Sequence, residues 1–230
     1  MMKKLEKMLN KILIFFGLKK KKEKVFPDIW RNSQEFQALY QHIKGRTLVT
    51  KDRCFMIYQW GRYASGQAGD FAEVGVYKGG TAWLTAQTAP LKKFYLFDTF
   101  AGMPKTHDRI DYHKKGDFDD TSLESVKEFL KECPHVQFYP GFFPQTAQGM
   151  GDKKFSYVHV DVDIYQSVKD CLEFFYPKMV SGGVMVFDDY EWKDCEGVKM
   201  AMDEFLTDKQ KSVIVTALYQ CVLIIGSGDV

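Results

Sequence analysis

The chain of 230 residues is 45% hydrophobic and 27% charged, which is typical of a soluble globular protein with a substantial core. Residues 1–24 carry nine lysines and two glutamates, so the formal net charge of +2 leaves −5 for the rest, and this acidic body argues against general nucleic-acid binding. The five cysteines, an odd number without CxxC or Cys/His ligand spacing, predict free thiols in a cytoplasmic protein.

The first 25 residues form a basic amphipathic arm. Apolar residues recur at helical spacing from Leu5 to Phe16, and a run of lysines follows at 19–22. This pattern favours peripheral contact of residues 1–24 with the inner membrane surface; a helix that docks on a partner subunit and a frayed terminus are the alternatives. A transmembrane helix needs about 20 apolar residues, and a signal peptide needs a small-residue cleavage site, so neither is expected. We expect a single domain over 26–230 and a homo-oligomer.

Two helices are predicted over residues 33–65, divided near Gly45, and from residue 70 strand and helix patterns alternate to the end. The strands are predicted at 70–76, 94–98, 136–140, 157–162 and 183–188, the helices that follow at 80–88, 121–131, 166–176 and 196–206, and a terminal hairpin at 213–218 and 221–225. This order predicts an α/β fold: a Rossmann-like, doubly wound, mostly parallel seven-stranded sheet with a C-terminal antiparallel hairpin and N-terminal helices.

A polar, charged loop of about 20 residues follows the second predicted strand, and loops of this length inside a compact domain are usually functional. It contains His107 and His113, whose imidazoles are candidate proton acceptors. Asp120 or Thr121 is the predicted N-cap of the helix that follows the loop.

Two acidic clusters end two apolar runs. Asp161 and Asp163 follow the run 157–160, and Asp188 and Asp189 follow the run 183–187. Ligands of open α/β sheets bind at the carboxyl ends of the strands, and carboxylates that converge there repel one another unless a cation neutralises them. Hard oxygen ligands suit Mg²⁺, Ca²⁺ or Mn²⁺. Asp163 is interpreted as the cap of the following helix.

A glycine-rich turn, Glu73 to Thr81, joins the first of the alternating strands to its helix. Its glycines allow close approach of a ligand to the backbone, but it matches neither GxGxxG nor GK[ST], which argues against the usual dinucleotide and nucleoside-triphosphate sites. Glu73 can accept from the ammonium of an amino-acid group. Asp98 ends the next strand 23 residues after Gly75, which suits a ribose-binding carboxylate.

These features together resemble the macrocin O-methyltransferase family, class I S-adenosylmethionine-dependent enzymes that methylate sugar hydroxyls. The resemblance extends from about residue 26 to the C-terminus. It rests on five segments: DFAEVGVYKGG (70–80), FDTFAGMP (97–104), DTSLESV (120–126), HVDVDIYQS (159–167) and FDDY (187–190).

The resemblance implies an S-adenosylmethionine- and Mg²⁺-dependent O-methyltransferase acting on a sugar hydroxyl of a glycoside. It assigns the methionine part of the cofactor to the glycine-rich turn, the ribose to the end of the second strand and the adenine to the segment after the loop. The implied cofactor-binding residues are Glu73, Gly75, Val76, Tyr77, Gly79, Gly80, Thr81, Asp98, Thr99, Phe100 and Ser122. The implied metal ligands are Asp161, Asp188 and Asp189, and Asp161 is also the first candidate for the proton acceptor.

The acceptor is less constrained. The basic arm is no part of the resemblance and would suit a cell-surface or lipid-linked glycan. Tyr165, Tyr190 and Trp192 either line the acceptor site or belong to the core. Two other functions stay open: a catechol-type phenol O-methyltransferase, and a non-catalytic nucleoside-binding module.

Overall fold

A computed structural model describes residues 29–216 and 218–229, and the predicted basic arm lies outside them. The strands are, in chain order, β1 (Asp70–Val74), β2 (Phe94–Asp98), β3 (Val136–Pro140), β4 (Phe155–Val160), β5 (Met179–Phe187), β6 (Ile214–Val215) and β7 (Cys221–Ile224). They form one sheet in the order β3-β2-β1-β4-β5-β7-β6, in which β7 is antiparallel to β5 and β6 and the other pairs are parallel. The predicted mostly parallel seven-stranded sheet with a terminal hairpin is therefore confirmed.

Six α-helices surround the described sheet. They are α1 (Gln34–Ile43), α2 (Lys51–Ser65), α3 (Gly80–Thr88), α4 (Leu123–Phe129), α5 (Tyr165–Phe175) and α6 (Glu196–Lys209). The division of the N-terminal helical region into α1 and α2 is confirmed. Ser33 begins α1, since its hydroxyl accepts a hydrogen bond from the Phe36 N–H.

The core is divided between the two faces of the sheet, because side chains of each strand alternate between them. Helices α1 to α4 cover one face, where Phe71 and Tyr157 are buried. Helices α5 and α6 cover the other, where Val74 and Val158 are buried. Both faces are apolar, which accounts for the nearly continuous hydrophobic runs of these strands.

Two predicted helix caps are wrong. Ser122, and neither Asp120 nor Thr121, caps α4, since its hydroxyl accepts from the Ser125 N–H. Asp163 does not cap α5; Ile164 occupies the cap position without a side-chain hydrogen bond. A carboxylate from the long loop, Asp111, accepts from the first N–H of α5 instead, and such a tertiary contact leaves no signal in the local sequence.

Strand β5 begins at Met179, four residues before the prediction, and the last strands are shorter than predicted. Met179 pairs with Phe155 of β4, which extends β5 beyond its glycines at 182 and 183. Among the described residues, no helix combines the length and the apolar character needed to cross a membrane.

Candidate active site

A cleft of about 520 Å³ opens at the carboxyl edge of the sheet. Strands β1, β2, β4 and β5 all end there, because they are parallel neighbours, and the turns that follow them line the cleft. Two further segments line the cleft: residues 47–50 between α1 and α2, and the long loop after β2. The topology thus brings the glycine-rich turn and the acidic strand ends into one site.

The glycine-rich turn lies directly against the end of β4. A Cβ atom at Gly75 would lie 1.8 Å from the carbonyl oxygen of Asp161, and the φ of Gly75 is +88°, so only glycine fits. Asp98 holds the same turn from the other side. Its Oδ2 accepts from the N–H groups of Val76 at 2.6 Å and Tyr77 at 2.9 Å.

The long loop is attached to the glycine-rich turn. Asp120 accepts a hydrogen bond from the Tyr77 hydroxyl at 2.7 Å and forms an ion pair with Lys78. The Thr121 hydroxyl donates to the Tyr77 carbonyl at 2.6 Å, and the Phe118 ring packs edge-on against the Tyr77 ring. These contacts hold the end of the loop beside the predicted cofactor site.

Three carboxylates converge on the side of the cleft where the sequence predicts a metal. Oxygen atoms of Asp161, Asp163 and Asp189 lie within 4.8 Å of one another, and all three residues line the cleft. Burial and the neighbouring charges of Asp188 and Asp163 raise the pKa of Asp161 well above its usual range. Burial and the charge of Asp189 raise the pKa of Asp163 to about 7. The three carboxylates repel one another, and a bound cation would relieve that repulsion.

Asp188, the remaining predicted ligand, points away from the cleft. It is 2% exposed, and its Oδ2 lies 2.8 Å from Nε2 of His159 on the neighbouring strand β4. Nδ1 of His159 lies 3.3 Å from Oε2 of Glu73 on β1, so the imidazole stands between two buried carboxylates. The Thr81 hydroxyl donates to the other oxygen of Glu73 at 2.7 Å.

Opposite charges stabilise this buried relay, which consists of Glu73, His159 and Asp188. Burial disfavours the imidazolium, but the hydrogen bond to Asp188 and the charge of Glu73 outweigh it and raise the pKa of His159 well above its usual range. Burial likewise opposes ionisation of Asp188, yet the hydrogen bond from His159 lowers its pKa. The relay therefore links the strand that carries the glycine-rich turn to the strand that carries Asp189.

Arg53 of α2 neutralises the acidic pair at the end of β5. Its Nη1 lies 3.0 Å from Asp188 Oδ1 and 2.7 Å from Asp189 Oδ1, and its side chain is 13% exposed. Gln220 completes the surroundings of Asp188, because its Nε2 donates to Oδ1 at 3.0 Å. The N-terminal helices thus contribute directly to the candidate site.

The structure separates the predicted site residues into two groups. The residues that line the cleft are Gly75, Val76, Tyr77, Thr81, Asp98, Thr99, Asp161 and Asp189, and those that do not line it are Glu73, Gly79, Gly80, Phe100, Ser122 and Asp188. Ser122 caps α4, and its neighbour Thr121 lines the cleft instead. The cofactor and metal roles of these residues remain predictions.

The two candidate histidines lie in different places. His113 lines the cleft, near Asp163 and Cys195, whereas His107 lies outside it on the exposed part of the loop. Of the candidate acceptor-site aromatics, Trp192 lines the cleft and packs edge-on against Tyr219 at 5.0 Å between ring centroids. Tyr165 and Tyr190 do not line it: their hydroxyls donate to Glu204 and Asp203 of α6.

Sequence reasoning missed Arg53, His159 and Thr121. A histidine inside a buried apolar strand was the available signal for His159, because such a residue needs polar partners. Arg53 sits in an amphipathic helix among other charges, and nothing near it in sequence indicates a partner 135 or 136 residues away.

Comparison with known proteins identifies the family of this chain. The sequence model of the macrocin-O-methyltransferase (TylF) family matches residues 44–220, about three quarters of the chain. The chain belongs to this family. The match spans α2, the glycine-rich turn and both acidic strand ends.

Curated relatives bear names of antibiotic O-methyltransferases. The 8-demethyl-8-(2,3-dimethoxy-alpha-L-rhamnosyl)-tetracenomycin-C 4'-O-methyltransferase of Streptomyces olivaceus is 30% identical over 148 residues, 57% of each chain. Demethyldecarbamoylnovobiocin O-methyltransferase of Streptomyces niveus is 28% identical over 153 residues, 60% of this chain and 58% of the relative. The aligned region therefore spans less than two thirds of these relatives.

Solved structures of other methyltransferases share the fold. The O-methyltransferase NovP matches with a TM-score of 0.71 at 24% identity, over 79% of this chain and 83% of that chain. The calicheamicin methyltransferase CalS11 matches with a TM-score of 0.68 at 19% identity, over 84% and 91%. At these identities the likeness concerns the fold.

Proposed function

We propose that the protein is an S-adenosylmethionine- and Mg²⁺-dependent O-methyltransferase that methylates a sugar hydroxyl of a glycoside. The observation that carries this proposal is the contact between the two halves of the cleft. Gly75 of the predicted cofactor side abuts Asp161 of the predicted metal side, and both line the cleft. A methyl donor and an acceptor hydroxyl bound on these two sides would meet, which is what an in-line transfer needs.

The cofactor side fits the ribose of an adenosyl group. The Asp98 carboxylate is already oriented by three backbone N–H groups, of Val76, Tyr77 and Phe100, and its Oδ1 accepts only one of them, at 2.7 Å from Phe100. A lone pair of Oδ1 is thus left for a ribose hydroxyl. The methionine part would lie beside the Gly75 backbone, which lines the cleft, whereas Glu73, the predicted acceptor for its ammonium group, is buried between Thr81 and His159.

The metal side fits a hard cation, since Asp161, Asp163 and Asp189 offer only oxygen atoms. The ligand set of the sequence prediction, Asp161 with Asp188 and Asp189, shares two of these residues. Asp188 does not line the cleft, and its carboxylate forms ion pairs with His159 and Arg53. Substitution of single aspartates therefore tests which of them bind Mg²⁺.

In this scheme the chain aligns the two reactants and handles one proton. Bound S-adenosylmethionine supplies an activated methyl group, and bound Mg²⁺ lowers the pKa of the acceptor hydroxyl. Asp161 accepts the hydroxyl proton, because it lines the cleft at the end of β4, where its backbone lies against the glycine-rich turn; His113 is the other acceptor within the cleft. The surrounding apolar residues limit the entry of water.

The names of the relatives support a sugar acceptor. The Streptomyces olivaceus relative is named for a rhamnosyl group, and a second structure of CalS11, at 16% identity and a TM-score of 0.58, names it a TDP-rhamnose 3'-O-methyltransferase. A catechol-type enzyme would use the same metal chemistry, and a nucleoside-binding module would need no metal carboxylates. Acceptor and metal requirements therefore separate the three functions.

Two measurements test the proposal. Calorimetry should show S-adenosylmethionine binding without metal, and absence of binding at millimolar ligand would remove the enzyme hypothesis. A methyl-transfer screen against nucleotide sugars, glycolipids and catechols should then give activity that EDTA removes and Mg²⁺ restores. Asp189→Asn should lose this activity and keep cofactor affinity, whereas Asp170→Asn, on α5 outside the cleft, should match the parent.

The basic arm suggests where the acceptor resides. We infer that residues 1–24 bring the enzyme to anionic membrane surfaces, where lipid-linked or cell-surface glycans are made. Deleting these residues should abolish co-sedimentation with vesicles containing anionic lipid; unchanged partitioning would assign the arm to another role, such as subunit contact. Sedimentation velocity of both forms would test the expected homo-oligomer.

A further inference from the structure

One side of the cleft combines three ligand types that the proposed reaction does not use together. The Cys195 thiol donates to Asp163 Oδ1 at 3.6 Å, and one ring nitrogen of His113 lies within 4.8 Å of the Cys195 sulfur and of a carboxylate oxygen of Asp163. The three residues come from separate segments: the long loop, the end of β4 and the start of α6. We propose that His113, Asp163 and Cys195 form a second cation site, which prefers Zn²⁺ and shares Asp163 with the all-carboxylate group.

The sulfur–oxygen distance already suits zinc. A tetrahedral Zn²⁺ with a sulfur ligand at about 2.3 Å and an oxygen ligand at about 2.0 Å has a sulfur–oxygen edge of about 3.5 Å. The observed separation of 3.6 Å therefore needs almost no adjustment of Cys195 and Asp163. On the same tetrahedral geometry, the ring nitrogen of His113 must approach by up to about 1.5 Å.

The donor set distinguishes this site from the neighbouring one. Thiolate and imidazole ligands favour Zn²⁺ over Mg²⁺, whereas Asp161, Asp163 and Asp189 offer oxygen alone. Asp117 supports the imidazole, because its carboxylate lies 3.3 Å from Nδ1 of His113 and favours the tautomer with a free lone pair on Nε2. Carboxylates commonly orient metal-bound histidines in this way.

The site also has an open position. His113, Asp163 and Cys195 all line the cleft, so a cation with these three protein ligands keeps a fourth position toward bound molecules. Cys195 is the one cysteine of the five, all within the described residues, that lines the cleft. Zinc bound there would link the long loop to the edge of the sheet. It would also compete for Asp163 with a cation bound by Asp161, Asp163 and Asp189.

Cobalt is the probe for this proposal, because Co²⁺ replaces Zn²⁺ and reveals a thiolate ligand by its charge-transfer absorption. Tag-free, metal-stripped full-length protein is titrated with Co²⁺ in excess Mg²⁺, and then with Zn²⁺. We expect one equivalent of Co²⁺ to give the thiolate band and Zn²⁺ to remove it. Cys195→Ser should lose the band, whereas Cys133→Ser, whose cysteine lies outside the cleft, should keep it.

A second pair of variants guards against misfolding of the buried cysteine variant. His113→Asn should weaken Co²⁺ binding at least tenfold, while His107→Asn, on the exposed part of the same loop, should bind as the parent does. A parent protein without the thiolate band, or a band that survives in Cys195→Ser, would overturn the proposal. So would equal Co²⁺ affinity of the His113 and His107 variants.

Discussion

Gly75 lies so close to Asp161 that a methyl group on Gly75 would overlap the Asp161 carbonyl oxygen, at 1.8 Å. This contact fixes the spacing between the predicted cofactor turn and the predicted metal carboxylates. The two parts of the cleft are therefore packed directly together at the ends of the adjacent strands β1 and β4.

Gly75→Ala tests this contact. The added methyl group must displace backbone atoms, and the alanine must adopt a positive φ. We therefore expect the free energy of unfolding to fall by about 3 kcal/mol or more. Urea denaturation measures the change. Gly149→Ala is the matched control, because a Cβ there meets no atom within 4 Å and Gly149 has an ordinary φ. Equal stability of the two variants would contradict the close packing.

Asp161→Asn tests the electrostatic repulsion among the carboxylates. Removing one charge from a self-repelling group should stabilise the metal-free protein by about 1 kcal/mol, a rise in Tm of about 2–4 °C. Mn²⁺ affinity, followed by electron paramagnetic resonance, should fall at least tenfold. Asp170→Asn serves as the charge-matched control and should leave Mn²⁺ affinity unchanged. A destabilised Asp161→Asn protein would show that the carboxylate is held by favourable contacts instead.

His159→Gln tests the buried relay. A neutral glutamine removes the positive charge between the two carboxylates, so Glu73 would keep only the Thr81 hydroxyl, and Asp188 would keep only Arg53 and Gln220. Breaking such a pair typically costs about 3–5 kcal/mol, and we expect a loss of that size in urea denaturation. His135→Gln, which removes a histidine that has no carboxylate contact in the structure, should cost much less.

Arg53→Gln tests the contribution of α2 to the site. Arg53 contacts two carboxylates and is largely buried, so its loss should destabilise the protein by about 1–3 kcal/mol. Arg62 lies in the same helix, but its side chain is 58% exposed and its contact with Glu35 is 3.6 Å long. Arg62→Gln should therefore change stability by less than about 0.5 kcal/mol. Thermal and urea unfolding of both variants measure the difference.

Tyr77→Phe tests the attachment of the long loop. It removes the hydroxyl that donates to Asp120, one of the contacts between the loop and the glycine-rich turn. Local opening of the loop should become about 2–10 times more frequent, and trypsin should cleave faster at its lysines, such as Lys114. Tyr112→Phe is the control, because Tyr112 lies on the same loop with 67% of its surface exposed. Unchanged cleavage of Tyr77→Phe would mean that other contacts hold the loop.

The sequence by itself determined the sheet and the edge where the site lies. The alternation of apolar runs and helical patterns predicted five parallel strands, and carboxylates directly after two of them predicted the acidic side of the cleft. Glycines after the first strand and Asp98 after the second predicted the other side. These inferences succeeded because strand period, turn chemistry and strand ends are local properties, and a parallel sheet brings all its carboxyl ends to one edge.

Only the tertiary structure decided how those residues are partnered. Asp163 faces Cys195 and Asp189 instead of capping α5, and Asp111 caps α5 from a loop more than fifty residues away. His159 bridges Glu73 and Asp188 because β4 lies between β1 and β5, an order that the chain sequence does not state. The physical reason is the same in each case: a side-chain contact between distant segments depends on packing and leaves no periodic signal near either residue.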